Sequence, residues 1–455
     1  MDLKNEVFCV VGLGRSGCAA VRLLRRKGAQ VRAYDARSRE ELSQVWSELE
    51  ALGAEMHSGQ LSAELFAGVS RVVLSPGVPP AEARRFATAV RAEVLGEVEL
   101  ASRFIQGQLV AITGTNGKST VTRMLGDILE RGAGPVFVGG NLGTPLSEAV
   151  DTDAAGPEGV LVVEVSSFQL EAVKEFHAHV AVLLNVTDDH LDRYQDFAAY
   201  AAAKGRVFAA QTAEDFALVP DGDAFVTSLA KTGDAEVLHF AGERSVVRME
   251  GDALLSRDGA LRLPLAELGV SGQHNAIDAC AAASAALLLG APVENIDAAL
   301  RDFRGLPHRM QLICERAGVR FVDDSKATNV GAAAAALRGF GSGDARVVLI
   351  AGGRDKGGTY APLVEPLMRV GRAIVCIGEA APKLERDLAQ TSLPIRRAAT
   401  MAEAVRLGFR LADAGDTVLL SPACSSYDMF ATYAHRGDAF AGAARGLRDA
   451  PRGTC

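Results

Sequence analysis

The chain has 455 residues with a formal net charge of -8 at pH 7, and 48% of its residues are hydrophobic and 23% charged. This is an ordinary composition for a soluble protein, and at roughly 150 residues per domain we expect about three domains. An acidic chain lacks the broad basic surface that a nucleic-acid backbone requires, so nucleic acid is not an expected partner.

The cysteines and the apolar segments indicate a cytoplasmic protein. The seven cysteines are scattered singly, a pattern that predicts neither a disulfide framework nor a zinc site. The N-terminus enters an apolar strand directly and lacks the features of a signal peptide. The longest apolar stretch, near residues 279–289, is shorter than the roughly 20 residues that a membrane span needs.

From Val7 to about Glu99 the chain alternates strand and helix patterns. A strand over Val7–Val11 precedes a helix from Ser16 to Lys27, and the next strand ends at Asp35. The turn between them, GLGRSG at 12–17, fits the dinucleotide fingerprint together with Asp35. Alone this predicts NAD, but the fingerprint indicates only that a pyrophosphate can approach a helix N-terminus.

A second α/β series begins near residue 109 and contains the sharpest motif, ITGTNGKST at 112–120, between an apolar strand and a helical pattern. It resembles a phosphate loop, in which Lys118 reaches the β- and γ-phosphates and Ser119 holds Mg²⁺. The strict pattern departs at Ile112, which occupies the first glycine position.

Polar residues follow the next two strands. Glu164 ends the strand VLVVE, where it is a candidate Mg²⁺ ligand. NVTDDHLD at 185–192 follows the next strand, and His190 in it is a candidate for a second metal position. Helices are expected over Ile277–Leu289 and Val293–Phe303, whereas residues 213–263 mix short strands with turns and give no clear pattern.

A third α/β series follows the Gly-Leu-Pro break at 305–307, so we place domain boundaries near residues 96 and 305. DDSKATN at 323–329 and GGRDKG at 352–357 each follow a strand. They bring cations and hydroxyls to strand ends, which suits a substrate that carries a carboxylate.

Short motifs occur along the chain in the order that is typical of Mur ligases: TGTNGKST, EVSSFQLE, NVTDDHLDRY, SGQHNAID, GLPHRMQ, FVDDSKATN, GGRDKG and LLSPACSSYDMF. The chain resembles this family over its whole length. The resemblance implies an α/β fold with a UDP-binding Rossmann-like domain (1–96), a central ATP-binding domain with a parallel or mixed sheet (97–305), and an amino-acid-binding Rossmann-like domain (306–455).

The SSFQL, DDSKATN and SPACSSYDMF segments are similar to the member of the family that adds D-glutamate. That similarity implies an ATP-dependent amide ligase of cytoplasmic peptidoglycan precursor synthesis. It would join D-glutamate to UDP-N-acetylmuramoyl-L-alanine through an acyl phosphate, with ATP and two Mg²⁺ ions. We expect a monomer.

The resemblance also implies roles for individual residues. The UDP substrate would contact Gly14, Arg15, Ser16, Gly17, Asp35, Arg37, Ser75, Pro76, Gly77 and Asn141. ATP would contact Gly114, Thr115, Asn116, Gly117, Lys118, Ser119, Thr120, Asn275, His308, Arg309, Asp324 and Lys326. D-Glutamate would contact Thr328, Lys356, Ser426, Tyr427 and Tyr433.

The same resemblance implies that Ser119, Glu164, His190 and Lys204 serve the metal ions, and that Lys118, Glu164, His190 and Lys204 are catalytic. Lys204 would be an N-carboxylated lysine, although its local sequence, AAAKGRVF, predicts only a lysine on a helix surface. Arg15, Tyr427 and Tyr433 depart from the family pattern; at 433 the expected residue is phenylalanine.

Other readings stay open at this point. An NAD-dependent oxidoreductase would use the 12–17 turn and Asp35, but this function would not explain the Gly-Lys-Ser loop. A non-catalytic nucleotide sensor would explain both loops without a ligase site. Another Mur-type ligase or a folylpolyglutamate synthase would differ in amino-acid specificity.

Overall fold

The computed structural model describes residues 3–78, 80–189, 193–341, 343 and 345–447, and the structural statements below concern this part of the chain. The chain divides into two units. The first contains residues up to 186, 198–271 and 275–303, and the second contains 187–197, 272–274 and the residues from 304 onward.

The first unit begins with a parallel sheet of strand order β3-β2-β1-β4-β5. Its elements are β1 (Val7–Val11), α1 (Arg15–Arg26), β2 (Gln30–Asp35), α2 (Ser43–Ala51), β3 (Glu55–Ser58), β4 (Arg71–Leu74), α3 (Pro80–Ala89), β5 (Glu93–Gly96) and α4 (Glu97–Ser102). Strand β1 is nearly continuous in apolar residues because helices cover both faces of the sheet. The chain's single tryptophan, Trp46, is buried on α2.

A second parallel sheet, of order β11-β10-β9-β6-β8-β7, follows in the same unit. Its elements are β6 (Gln108–Thr113), α5 (Lys118–Leu129), β7 (Val136–Gly140), β8 (Val160–Glu164), α6 (Ser167–Leu170), β9 (Val180–Leu183), α7 (Phe197–Gly205), β10 (Phe216–Pro220), α8 (Ala224–Ala230) and β11 (Glu236–Phe240). The residues of β6 after Gln108 and all those of β9 are buried, as their apolar runs predict.

The segment that gave no clear pattern, 213–263, supplies β10, α8 and β11 and then a small antiparallel sheet, β12 (Val247–Glu250), β13 (Ala253–Ser256) and β14 (Arg262–Pro264). Helices α9 (Gln273–Leu288) and α10 (Val293–Asp302) complete this part of the chain. They agree with the predicted helices, and α9 begins four residues earlier than expected.

Two buried carboxylates join the sheets of the first unit. Glu99 on α4 accepts the backbone N–H groups of Lys174 at 2.8 Å and Phe176 at 3.0 Å. Glu97, two residues earlier, accepts the N–H of Ser147 at 2.6 Å, and burial raises the pKa of Glu97 to about 7. The acceptors follow β5 of the first sheet, and their donors lie in segments that connect strands of the second sheet. Helix α4 therefore joins the two sheets.

The second unit contains a mixed sheet of order β15-β16-β20-β17-β18-β19, in which only the β15–β16 pair is antiparallel among the described residues. Its elements are β15 (Gln311–Arg316), β16 (Val319–Asp323), α11 (Val330–Arg338), β17 (Val347–Gly352), α12 (Val364–Val370), β18 (Gly371–Ile377), α13 (Ala381–Leu388), β19 (Ile395–Arg397), α14 (Met401–Leu411), β20 (Thr417–Leu420) and α15 (Tyr433–Arg445).

The predicted α/β class is therefore confirmed: the first two sheets are parallel, and the sheet of the second unit is mixed because of its one antiparallel pair, β15–β16, among the described residues. In each of the three larger sheets the carboxyl ends of the parallel strands form one edge, and ligands bind at this edge in such folds. Within the described ranges, no helix has both the length and the apolar character needed to cross a bilayer.

Candidate active site

The phosphate loop lies at the carboxyl edge of the second sheet, between the end of β6 at Thr113 and the start of α5 at Lys118. Gly114 and Gly117 have φ values of +149° and +87°, which other residues rarely adopt. A Cβ atom on Gly117 would also lie 2.4 Å from Oδ1 of Asp278. Asn185, just after β9, holds the loop by accepting the N–H of Asn116 at 2.9 Å. The loop thus has the backbone of an anion site at a helix N-terminus.

Two lysines meet at this loop. The Nζ atom of Lys118 donates to the carbonyl oxygens of Gly114 and Thr115, each at 2.9 Å. Nζ of Lys204 donates to the same Gly114 oxygen at 2.8 Å and lies 4.6 Å from the ring centroid of Tyr200. The interpretation of Lys204 as a surface lysine is wrong, because its side chain is buried against the loop and the aromatic ring.

Ser119, Glu164 and Asn141 form a hydrogen-bonded group beside the loop. The Ser119 hydroxyl donates to Oε2 of buried Glu164 at 2.6 Å, and the Asn141 amide donates to Oε1 at 2.6 Å. The next hydroxyl, Oγ1 of Thr120, is buried without a hydrogen-bond partner among the described residues.

A carboxylate and a hydroxyl in contact are hard oxygen donors, and they fit Mg²⁺. In the described ranges, no group of three or more His, Cys, Asp or Glu side chains could hold a metal ion. His190, the candidate for the second metal position, lies outside the described residues.

Apart from Asn141, which follows β7 of the second sheet, the residues predicted to contact the UDP substrate lie at the carboxyl edge of the first sheet. Gly14 precedes α1, and a Cβ on Gly17 would lie 1.8 Å from the carbonyl oxygen of Gly12, so only glycine fits there. Ser75 follows β4 and donates its N–H to Val11 at 3.0 Å. The remaining predicted contacts of this edge are Arg15 and Ser16 in the first turn of α1, and Pro76 and Gly77 after Ser75.

Asp35, at the end of β2, shapes this edge. Its carboxylate accepts the N–H of Leu13 at 2.7 Å and the Arg37 guanidinium Nε–H at 2.9 Å. Burial acts to raise the pKa of Asp35, but the hydrogen bonds from Arg37 and Leu13 outweigh it and lower that pKa. Asp35 therefore stays ionised and fixes the glycine turn.

In the second unit, the loop after β16 carries Asp324, Lys326 and Thr328. Burial raises the pKa of Asp324 to about 7, although its Oδ2 accepts the Ser421 hydroxyl at 2.8 Å. Nζ of Lys326 lies 4.1 Å from the ring centroid of Tyr433, which begins α15. The Tyr433 ring therefore stabilises the Lys326 ammonium through a cation–π interaction.

The residues expected around the adenine nucleotide lie in both units. In the first, Asn275 is buried on α9, where its amide donates to the Ser271 carbonyl at 2.7 Å. In the second, His308 Nδ1 lies 2.7 Å from Oδ2 of Asp323. Nε of Arg309 is buried and has no hydrogen-bond partner within the described ranges.

Arg436 on α15 holds the loops of the second unit together, and the sequence analysis missed it. Its fully buried guanidinium donates to the Ser325 hydroxyl at 3.0 Å, the Ser325 carbonyl at 2.8 Å and the Cys424 carbonyl at 3.0 Å. Burial lowers the pKa of Arg436 to about 10. These bonds position the segments that carry Lys326 and the buried Ser426, whereas Tyr427 next to it is 69% exposed.

Lys356 lies in the loop after β17, where its Nζ contacts the carboxylate of Asp189 at 3.1 Å. The neighbouring Asp355 carboxylate accepts hydrogen bonds from the Tyr360 hydroxyl at 2.9 Å and from the Lys383 ammonium at 3.0 Å. These two hydrogen bonds hold the loop in place. The pairing with Asp189 was not predicted, because the two residues are 167 positions apart.

Comparison with known proteins identifies the family of each part of the chain. Three family models match in chain order: the MurD-like N-terminal domain of Mur ligases at residues 6–96, the Mur ligase middle domain at 112–286, and the glutamate ligase domain of Mur ligases at 308–424.

Curated relatives match over almost the whole chain. The UDP-N-acetylmuramoylalanine--D-glutamate ligase of Anaeromyxobacter dehalogenans is 45% identical over 456 residues, which cover 96% of this chain and 97% of that protein. The ligase of the same name from Trichlorobacter lovleyi is 42% identical over 454 residues, with 98% and 100% covered.

Solved structures show the same fold at low identity. A pseudomurein peptide ligase type C from Methanothermus fervidus superposes with a TM-score of 0.60 at 19% identity, covering 91% of this chain and 96% of that one. UDP-N-acetylmuramate-alanine ligase MurC from Thermotoga maritima gives 0.58 at 18% identity, with 92% and 95% covered. Since the family models and the full-length relatives agree with the fold and with the motifs at its strand ends, the chain belongs to the Mur ligase family.

Proposed function

We propose that this chain is an ATP-dependent ligase that joins D-glutamate to UDP-N-acetylmuramoyl-L-alanine and forms ADP and phosphate. The observation that carries the proposal is the structure of the phosphate loop at Lys118. The ammonium of Lys204 donates to the Gly114 carbonyl of this loop, and the hydrogen-bonded pair Ser119–Glu164 lies beside it. The proposal is supported by relatives of the same length that bear this enzyme name. Mur ligases use ATP, and this loop is the part of the chain suited to its triphosphate.

In the proposed reaction, the alanyl carboxylate of the UDP substrate attacks the γ-phosphate of ATP and gives an acyl phosphate and ADP. The amine of D-glutamate then displaces phosphate through a tetrahedral intermediate. The difficulty of the first step is that two anions must meet. Lys118 and the backbone N–H groups at the N-terminus of α5 would offset that repulsion and stabilise the charge that develops on the transferred group.

Ser119 and Glu164 would hold Mg²⁺, which would neutralise phosphate charge when bound. We infer a second Mg²⁺ served by His190 and Lys204. An unmodified Lys204 ammonium would repel a cation, so this role requires the N-carboxylated form, which is an anion. Mass spectrometry under native conditions in bicarbonate buffer tests the modification, and a Lys204 of unmodified mass in fully active enzyme would contradict it.

Roles for the remaining residues complete the proposal. The first sheet edge, with Gly14, Gly17 and Asp35, would hold the UDP group, and Asn141 would hold the sugar-pyrophosphate. Asp324 and Lys326 would contact the adenine nucleotide, and Thr328, Lys356, Ser426 and Tyr433 would contact D-glutamate. Such substrates imply a cytoplasmic enzyme, and we expect it to act as a monomer.

The decisive experiment measures ADP release with a panel of amino acids and UDP-muramoyl acceptors. We expect ADP release to require both D-glutamate and UDP-N-acetylmuramoyl-L-alanine. ADP release with a different amino acid, and none with D-glutamate, would refute the assignment. Lys118→Ala should lower kcat by about 100-fold or more while the fold is kept. Lys231→Ala, a change at an exposed lysine of the same unit, is the matched control; near-normal turnover of the Lys118 variant would refute the role of the loop.

A further inference from the structure

His308 lies in the loop before β15, where its backbone is held in an unusual conformation. Its φ is +61°, in the left-handed region that residues with a side chain rarely adopt. Its N–H donates to Oε1 of Gln311 at 3.1 Å, and its carbonyl oxygen accepts the N–H of Lys326 at 3.0 Å. Such conformations persist only where the surroundings hold them, and they are frequent at ligand sites. The fold therefore sets where the His308 side chain lies.

The ring of His308 is paired with the carboxylate of Asp323 at the end of β16. Nδ1 lies 2.7 Å from Oδ2 of Asp323, and the two side chains are only 14% and 0% exposed. The other oxygen, Oδ1, accepts the N–H of Ser325 at 2.9 Å, and the buried Arg436 cation interacts electrostatically with Asp323. Because a carboxylate only accepts hydrogen bonds, the His308 ring must carry a proton on Nδ1.

The surroundings of the ring suit an anionic ligand. The His308 ring packs nearly perpendicular to the Tyr433 ring, with 6.2 Å between the centroids, and Nζ of Lys326 lies 4.1 Å from the same Tyr433 centroid. Nε of Arg309 is buried and has no hydrogen-bond partner within the described ranges. The second ring nitrogen of His308, Nε2, lies 3.9 Å from Oδ1 of Asp438, whose side chain is 75% exposed. Nδ1 is thus engaged in the interior, whereas Nε2 faces an exposed group.

Helix α15 packs directly against the pair at Gly437. A Cβ atom on this residue would lie 2.2 Å from Nδ1 of His308 and 2.6 Å from Oδ2 of Asp323, so only glycine fits there. On the same helix, a Cβ atom on the exposed Gly442 would have no neighbour within 4 Å. The backbone of α15 therefore covers the hydrogen bond between the ring and the carboxylate.

We propose that Asp323 is a positioning residue for nucleotide binding, which keeps a proton on Nδ1 of His308 and directs Nε2 toward a phosphate group of ATP. A phosphate only accepts hydrogen bonds, so Nε2 also needs a hydrogen to bind it, and the bound ring is protonated on both nitrogens. Asp323 balances the positive charge of that ring, as the buried carboxylate of a catalytic triad does. In this role Asp323 acts through His308 and needs no contact with the nucleotide.

This inference rests on the proposed function, because ATP is the ligand, and it predicts a specific effect of Asp323→Asn. The N–H of Ser325 would keep the asparagine oxygen at the position of Oδ1, so the NH₂ group would face His308. That group donates a hydrogen bond, so Nδ1 would have to accept it and the proton would move to Nε2. A ring protonated on both nitrogens would place one donor against another, and phosphate binding would lose the positive charge.

Nitrogen NMR of the imidazole rings at alkaline pH measures the proton position, and His308→Gln assigns the signal. The wild type should carry a proton on Nδ1, and Asp323→Asn should carry it on Nε2. The KM for ATP should rise at least about tenfold in Asp323→Asn, whereas the same change should add nothing in the His308→Gln background. A wild-type proton on Nε2 alone, or an equally large effect of Asp323→Asn in the His308→Gln background, would overturn the proposal.

Gly437→Ala tests the pair independently, because its methyl group would push the ring and the carboxylate apart. It should raise the KM for ATP, and Gly442→Ala on the same helix is the matched control; equal KM values for the two variants would overturn the proposal. If neither Asp323→Asn nor Gly437→Ala folds, as judged by thermal unfolding, the wild-type NMR spectrum decides. A wild type that releases no ADP with D-glutamate and the UDP substrate would instead refute the proposed function. Because the proton position is measured without turnover, the two failures are distinguishable.

Discussion

Glu97→Gln should change how the stability of the protein depends on pH. Glu97 is fully buried on α4, where its Oε1 accepts the N–H of Ser147 and its Oε2 has no hydrogen-bond partner among the described residues. Burial is the largest cause that raises the pKa of this carboxyl group, from its ordinary value near 4.5 to about 7. A glutamine keeps the oxygen that accepts the Ser147 N–H and removes the titration.

The sign of the effect follows from proton binding. Between pH 4.5 and 7 the folded protein keeps a proton on Glu97 that the unfolded chain loses, so this group contributes most stability at low pH. Its contribution is lost as the pH rises toward 7. At roughly 1.4 kcal/mol per pKa unit, the wild type should lose about 2–3 kcal/mol relative to the glutamine variant between pH 5 and pH 8.

Urea unfolding of both proteins at several pH values measures this difference, and comparison within the pair cancels the contribution of Asp324, whose pKa burial also raises to about 7. Glu250→Gln is the control, since the Glu250 side chain is 60% exposed, and it should keep the wild-type pH profile. Parallel profiles for the wild type and Glu97→Gln would show that the buried carboxyl group is not protonated near neutral pH and would refute the reasoning.

Gly17→Ala should raise the KM for the UDP substrate and lower the melting temperature, because its Cβ would lie 1.8 Å from the Gly12 carbonyl oxygen. Gly14→Ala, which meets no atom nearer than 3.8 Å, should melt like the wild type, and equal melting of both variants would contradict the argument. Arg436→Met should cost roughly 1–3 kcal/mol in urea unfolding, since three carbonyl oxygens, those of Ser325, Cys424 and Ser425, lose a donor while the buried cation is removed, and should raise the KM for D-glutamate; an unchanged KM would refute its positioning role. Lys204→Met should reduce kcat far more than stability, which kinetics and thermal unfolding measure together, and equal loss of both would indicate a structural lysine.

The parts of the fold that could be predicted from the sequence are those with strong local patterns. The apolar runs of β1, β6 and β9 predicted buried parallel strands, and these are confirmed. The Gly-Lys-Ser turn predicted the strand–loop–helix geometry at residues 113–118, which the structure shows. The roles assigned to the site residues and the domain limits at 96 and 305 remain predictions.

The features that the sequence did not indicate depend on contacts between distant segments. Lys204 is buried because its ammonium reaches Gly114, 90 residues away, and no local pattern marks it. Arg436 donates a hydrogen bond to Ser325, which is 111 positions away. Its local sequence does not distinguish it from any other arginine on a helix. In 213–263, β11 lies at the edge of the second sheet with β10 next to it, and the short strands β12, β13 and β14 form a separate small sheet. Apolar and polar residues alternate only weakly in such strands.

The position of Trp46 has a practical consequence for folding experiments. Because the chain has one tryptophan and it is buried on α2, intrinsic indole emission reports on the first sheet and its helices alone. Circular dichroism, in contrast, averages over all the sheets. Recording both signals in one denaturation series would therefore show whether the first sheet and its helices unfold together with the rest of the molecule or in a separate cooperative step.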